Sequence, residues 1–143
     1  MDFLSENNSK TEQYWKLLLI DDEPEVHEVT RLVLGGFRFE GKALQFLSAY
    51  SVNEAKQLLQ NHDDIAVTLL DVVMETDTAG LDLVKYIRDE LNNHQIRIVL
   101  RTGQPGQAPE HEIISNYDIN DYKEKTELTA QKMATAMFAA LRA

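Results

Sequence analysis

The chain has 143 residues, 43% hydrophobic and 27% charged, with few glycines and prolines. That suits one domain burying roughly two-thirds of its unfolded surface, and it excludes collagen-like, low-complexity and globally disordered classes. The absence of cysteine excludes a disulfide scaffold, thiol catalysis and thiolate metal sites, while a formal charge of −10 disfavours direct nucleic-acid binding and anionic membranes.

Residues 1–14 read as a polar, flexible leader without the basic and apolar regions of a secretory signal. No window reaches the ~18–20 apolar residues of a membrane span, so a cytoplasmic protein is expected. Trp15–Ile20 is an apolar run, predicted as a buried strand that closes on Asp21-Asp22-Glu23-Pro24. Pro24 suits the first turn of a helix, Val26, Val29 and Val33 recur at helical spacing, and Gly35-Gly36 ends it.

Ala43–Ala49 is predicted as the second strand. Ser51-Val52-Asn53-Glu54 has the pattern of a capping box, opening a helix with Ala55, Leu58 and Leu59 on one face. Ile65–Leu70 is a second continuous apolar run and ends at Asp71. Leu83, Val84, Ile87 and Leu91 mark a longer amphipathic helix. A fourth strand starts at Ile96 and ends at Thr102-Gly103, and a Gly/Pro-bearing loop leads to a short helix around Glu110–Asn116. Ile119–Tyr122 is a short, polar strand, and Ala134, Met137, Phe138 and Leu141 stripe the final helix.

Strands alternating with helices in this way predict an α/β fold, a doubly wound five-stranded parallel sheet with helices on both faces. The uniformly apolar first and third strands belong at the centre and the polar fifth at an edge, which gives the flavodoxin-like order 2-1-3-4-5. The carboxyl ends of a parallel sheet share one edge. Asp21, Asp22, Asp71 and Thr102 therefore converge there, with Lys125 just beyond the fifth strand. Three carboxylates so close repel one another unless a cation intervenes. Magnesium fits best, because it accepts one or two protein carboxylates together with water and phosphate. A carboxylate beside it can attack phosphorus and form an acyl phosphate.

Leu19-Ile20-Asp21-Asp22-Glu23-Pro24, Leu69-Leu70-Asp71-Val72-Val73-Met74, Thr102-Gly103 and Tyr122-Lys123-Glu124-Lys125 resemble the receiver domain of bacterial two-component response regulators. The resemblance covers about residues 15–142. It implies that Asp71 is the phosphoacceptor, served by a sensor histidine kinase, a phosphotransfer protein or a small phosphodonor. It further implies that Asp22 binds Mg2+ directly and Asp21 largely through water, with Asp71 and the backbone carbonyl of Val73 completing the protein ligands. Thr102 and Lys125 would then bind the phosphoryl group, and Tyr122 would be the aromatic switch. Such a protein is a signalling switch and not a turnover enzyme; it assists only its own phosphorylation and slow dephosphorylation. Its output surface would be the fourth helix, fifth strand and fifth helix, roughly His111 to Leu141, through which a homodimer is plausible.

Leu100–Pro109 and Asp118–Lys132 further resemble receivers that precede HD-type or GGDEF-type cyclic-di-GMP domains. By that resemblance residues 15–143 are expected to be a receiver cut from a longer protein that carries its own output domain. Three positions depart from the pattern. Thr126 stands where proline usually follows the lysine, Glu75 stands where proline usually follows the methionine, and Arg101 occupies a usually apolar position. For Arg101 a salt bridge with neighbouring acids is favoured over the alternative that it helps stabilise the charged pocket, and surface positions are expected for the histidines and core positions for Met133 and Met137. Two alternatives stay open: a phosphate-independent interaction module that keeps the fold, and an aspartate-nucleophile phosphohydrolase. The latter class would favour an aspartate where Val73 stands.

Overall fold

The computed structural model describes residues 13–76, 78–103, 116–124 and 130–142. Its strands are β1 (Tyr14–Ile20), β2 (Arg38–Phe39), β3 (Lys42–Ala49), β4 (Ile65–Asp71), β5 (Arg97–Thr102) and β6 (Asp121–Glu124). The α-helices are α1 (Pro24–Leu34), α2 (Val52–Asn61), α3 (Ala79–Lys85) and α4 (Ala130–Arg142). The sheet order is β2-β3-β1-β4-β5-β6. Its five parallel strands follow the predicted order, with β1 and β4 at the centre and the polar β6 at an edge.

The sixth strand corrects the predicted count of five. Arg38 and Phe39 pair antiparallel with Ala43 and Lys42 across the two-residue loop Glu40-Gly41. Both loop residues have positive φ, 52° and 80°, as a tight hairpin turn matched to strand twist requires. Glutamate is an uncommon first residue for such a turn, so the sequence signal was weak. The indole of Trp15 fastens the added strand by donating to the Phe39 carbonyl at 2.9 Å.

The central strands separate two apolar layers by simple alternation. Leu17 and Leu19 of β1 pack with Val67, Leu69 and Val99 against Leu34 of α1 and Met133, Met137 and Leu141 of α4. Leu18 and Ile20 pack with Leu70, Ile98 and Leu100 against Ala55 and Leu59 of α2 and Leu83 and Val84 of α3. All four of these β1 side chains are fully buried, each contributing about 1.5–3 kcal/mol. The two methionines are core residues, as expected.

The buried face of α1 differs from the valine stripe predicted. His27, Thr30 and Leu34 face the sheet, and Val29 is 54% exposed. The helix turns polar groups inward because it starts at the acidic sheet edge, where they find partners. Ser51 caps α2 by accepting from the Glu54 N–H at 3.2 Å, and Glu54 reaches back to the Tyr50 N–H at 2.8 Å. That is one residue beyond the usual reach of a capping box. Glu75 also serves this helix start, its Oε2 accepting from the Val52 N–H at 3.1 Å.

Helix α3 continues into a π-helical turn, Tyr86–Glu90, in which the Leu91 N–H donates to the Tyr86 carbonyl at 2.9 Å. Leu83, Val84 and Ile87 are buried as their spacing predicted. The leader through residue 12, most of the short helix Glu110–Asn116, and Lys125 and Thr126 lie outside the described residues. None of the described helices is long and apolar enough to cross a membrane.

Candidate functional site

The carboxyl ends of β1 and β4 lie side by side, with Ile20 opposite Leu70 in the parallel register. Asp21 follows β1 and Asp71 is the last residue of β4. Together with Asp22 they offer carboxylate oxygens that all lie within 4.8 Å of one another. Asp21 and Asp71 are 0% and 3% exposed, whereas Asp22 faces solvent.

Local hydrogen bonds explain why the chain holds acids there. The Asp21 N–H donates to the Ala49 carbonyl at 3.1 Å, carrying the β1–β3 ladder one residue past Ile20. Its Oδ1 then accepts from the Glu23 N–H at 2.9 Å, an Asx-type turn that starts α1 while Pro24 fills the first helical position. Asp71 follows the same logic. The Val73 N–H donates to its Oδ1 at 3.3 Å, and the Val72 N–H reaches the Arg101 carbonyl at 3.0 Å. The Gly80 N–H donates to the Val72 carbonyl at 2.9 Å, closing the loop after β4 onto the site.

Thr102 ends β5 at the same sheet edge and is 2% exposed. The half-buried Val73 lies two residues beyond the Asp71 carboxylate it binds. Tyr122 of β6 is 6% exposed and packs in the layer that contains Ile98 and Leu100. The structure thus brings Asp21, Asp22 and Asp71 together and sets Thr102 on their edge. Lys125 would follow directly on β6 and lies outside the described residues.

The donor set fits a hard divalent cation. It consists of carboxylate oxygens without imidazole or thiolate, as magnesium requires and softer metals do not. Two buried carboxylates and one exposed one would offer such an ion fixed oxygens on one side and room for water on the other.

Three further residues stand beside the predicted ligands. His27, expected at the surface, is fully buried. Its Nε2 lies 2.7 Å from the Asp21 carbonyl and its Nδ1 3.0 Å from the Ser48 hydroxyl. A carbonyl only accepts, so Nε2 carries the proton and Nδ1 accepts from Ser48. Burial pushes the His27 pKa below its ordinary value, against the opposing effects of the Asp21 carbonyl and charge. Its spacing with Thr30 and Leu34 was the available signal.

Arg101 is the second. It is 2% exposed, and its Nη1 donates to Thr30 Oγ1 at 3.1 Å in place of the expected salt bridge. The third is Gly80, which lies so close to Asp71 that there is no room for a side chain.

The response regulator receiver domain family model matches residues 17–137. The chain is 53% identical over 133 residues to the 3'3'-cGAMP-specific phosphodiesterase 2 of Vibrio cholerae, covering 93% of this chain and 26% of that protein. It therefore spans about a quarter of that relative's length. Among solved structures it resembles a response regulator receiver domain protein from Clostridium thermocellum, with a TM-score of 0.72 and 22% identity, covering 89% of this chain and 94% of that one. It also resembles the N-terminal domain of a response regulator/sensory box/GGDEF 3-domain protein from Carboxydothermus hydrogenoformans, with a TM-score of 0.70 and 19% identity over 89% and 94% of the two chains. The chain belongs to the response regulator receiver domain family, whose standard function is phosphorylation-dependent signalling.

Proposed function

We propose that this chain accepts a phosphoryl group on Asp71 and thereby switches the surface formed by the segment before β6, by β6 itself and by α4. The observation that carries this is the convergence of Asp21, Asp22 and Asp71 within 4.8 Å at the carboxyl edge of the sheet. Asp21, Asp22, Asp71 and the Val73 carbonyl would hold Mg2+. When bound, the ion would offset the repulsion among these carboxylates and the incoming phosphoryl oxygens.

The Val73 N–H fixes the rotation of the Asp71 carboxylate, which orients it for attack on phosphorus. A new carboxylate–phosphorus bond forms as the bond to the donor's leaving group breaks, and the leaving group departs with the bonding pair. Thr102 and Lys125 then bind the phosphoryl oxygens. The added negative charge at Asp71 draws these two groups inward, and the buried Tyr122 ring, one strand away from Thr102's, transmits the change toward α4.

The donor is a sensor histidine kinase or phosphotransfer protein, in the cytoplasm. Residues 15–143 act as the receiver of a longer protein. Likeness to a cyclic-dinucleotide phosphodiesterase and to a GGDEF-containing protein supports an output domain that handles cyclic dinucleotides. This part of the chain carries out no turnover beyond its own phosphorylation and dephosphorylation, and it pairs with a second copy through the switched surface.

Amide spectra recorded with magnesium and beryllofluoride test the proposal. Shifts at Thr102, Tyr122 and α4 that vanish in Asp71→Asn are expected. Unchanged spectra would favour the phosphate-independent interaction module.

A further inference from the structure

Arg101 precedes Thr102 on β5 and stands opposite Asp71 in the parallel register. Alternation along the strand places it on the same face as Val99, in the layer under α1 and α4. From there its guanidinium reaches Thr30, whose hydroxyl in turn donates to the Val26 carbonyl at 2.7 Å. That contact uses Nη1 alone. Nε and Nη2 are buried and have no hydrogen-bond partner among the described residues.

A guanidinium stays charged in proteins, and one that is buried and only partly hydrogen-bonded is costly unless other charges compensate. The compensation is electrostatic. Burial disfavours the cation, and Asp21 and Asp71 are the two carboxylates that favour it. These are the two buried acids of the pocket, and Arg101 stands opposite one of them on the neighbouring strand, so a fixed cation flanks the pocket.

We propose that Arg101 is a resident counter-charge of the acidic pocket, which lets the metal-free protein hold Asp21, Asp22 and Asp71 together and weakens binding of a divalent cation there. This rests on the metal site described under Proposed function. A buried arginine opposite Asp71 on the neighbouring strand opposes an entering dication by Coulomb repulsion. Being buried, it is screened little by salt. The geometry thereby sets a trade: the pocket is tolerated without metal, and its affinity for metal is lower than the three carboxylates alone would give. An arginine that served only to anchor α1 through Thr30 would leave metal affinity untouched.

Calorimetric titration of Mg2+ into the wild-type chain, Arg101→Met, Arg101→Gln, Arg101→Lys and Thr30→Val separates these cases. Thermal unfolding with and without Mg2+ supplies a second readout. The two neutral variants are expected to bind Mg2+ roughly tenfold more tightly or better, and to gain more thermal stability from it than the wild type. Arg101→Lys and Thr30→Val keep the charge and should stay close to wild type. If Arg101→Met does not fold, Arg101→Gln, which retains a polar contact to Thr30, decides the matter. Unchanged or weaker Mg2+ binding by a folded neutral variant, beside a wild type that binds it, overturns the counter-charge alone. No Mg2+ binding by the wild type and the neutral variants overturns the metal site and this inference with it.

Discussion

A Cβ placed on Gly80 would collide with the carbonyl oxygen of Asp71 and stand 2.7 Å from the Cα of Val72. Both contacts are to backbone, which cannot swing aside. The start of α3 is thus pressed directly onto the end of β4, and the path of the chain between them depends on a residue without a side chain.

Gly80→Ala is therefore expected to cost about 1–3 kcal/mol of stability and to displace the Asp71 carboxylate. Urea unfolding measures the first effect, and the yield of phosphorylated chain at saturating phosphodonor measures the second. A variant with wild-type stability and wild-type yield would show that the loop relaxes freely.

The pH dependence of stability should carry the signature of His27. The folded chain disfavours its protonation because the ring is buried. The unfolded chain binds a proton at the ordinary value of 6.5. More protons are bound in the unfolded state within that window, so stability rises with pH there. It is fully present well above pH 6.5 and declines as pH falls below that value toward the folded-state pKa. His27→Gln keeps a donor for the Asp21 carbonyl without the titration, and should flatten this part of the profile. Urea midpoints from pH 8 to pH 5 compare the two, and parallel profiles would remove His27 as the cause.

Arg88 holds the amino end of β5. Its Nε donates to the Asp118 carbonyl at 2.9 Å, and its Nη1 to the carbonyls of Asn93 and Ile96 at 3.0 and 2.8 Å. It is 6% exposed and sits in the π-helical turn. Arg88→Met would fill similar space but leave three carbonyls without their donor, at a cost of about 3 kcal/mol. Equilibrium denaturation reads this directly, and a loss below about 1 kcal/mol would mean that water replaces the guanidinium with little penalty.

The sequence was most legible where one physical requirement dominates. Trp15–Ile20 and Ile65–Leu70 read as central strands because strands covered on both faces need continuous apolar runs. Asp21, Asp22 and Asp71 read as one site because a parallel sheet gathers its carboxyl ends on one edge. Tertiary context concealed the rest. The β2 hairpin depends on Glu40 adopting positive φ, and the inward face of α1 depends on partners, Ser48 and Arg101, that lie on other strands. In the π-helical turn, Arg88 reaches the carbonyl of Asp118, which lies far along the chain. The burial of Arg101 and its contact with Thr30 depend on α1 packing over the strand end, which the strand's own residues do not reveal.

The most direct test of the switch is the intact mass of the chain after incubation with magnesium and acetyl phosphate, beside Asp71→Asn and a metal-free control. One phosphoryl adduct that requires both magnesium and Asp71 is expected. An adduct that persists in Asp71→Asn, or no adduct under any of these conditions, would contradict phosphorylation at Asp71.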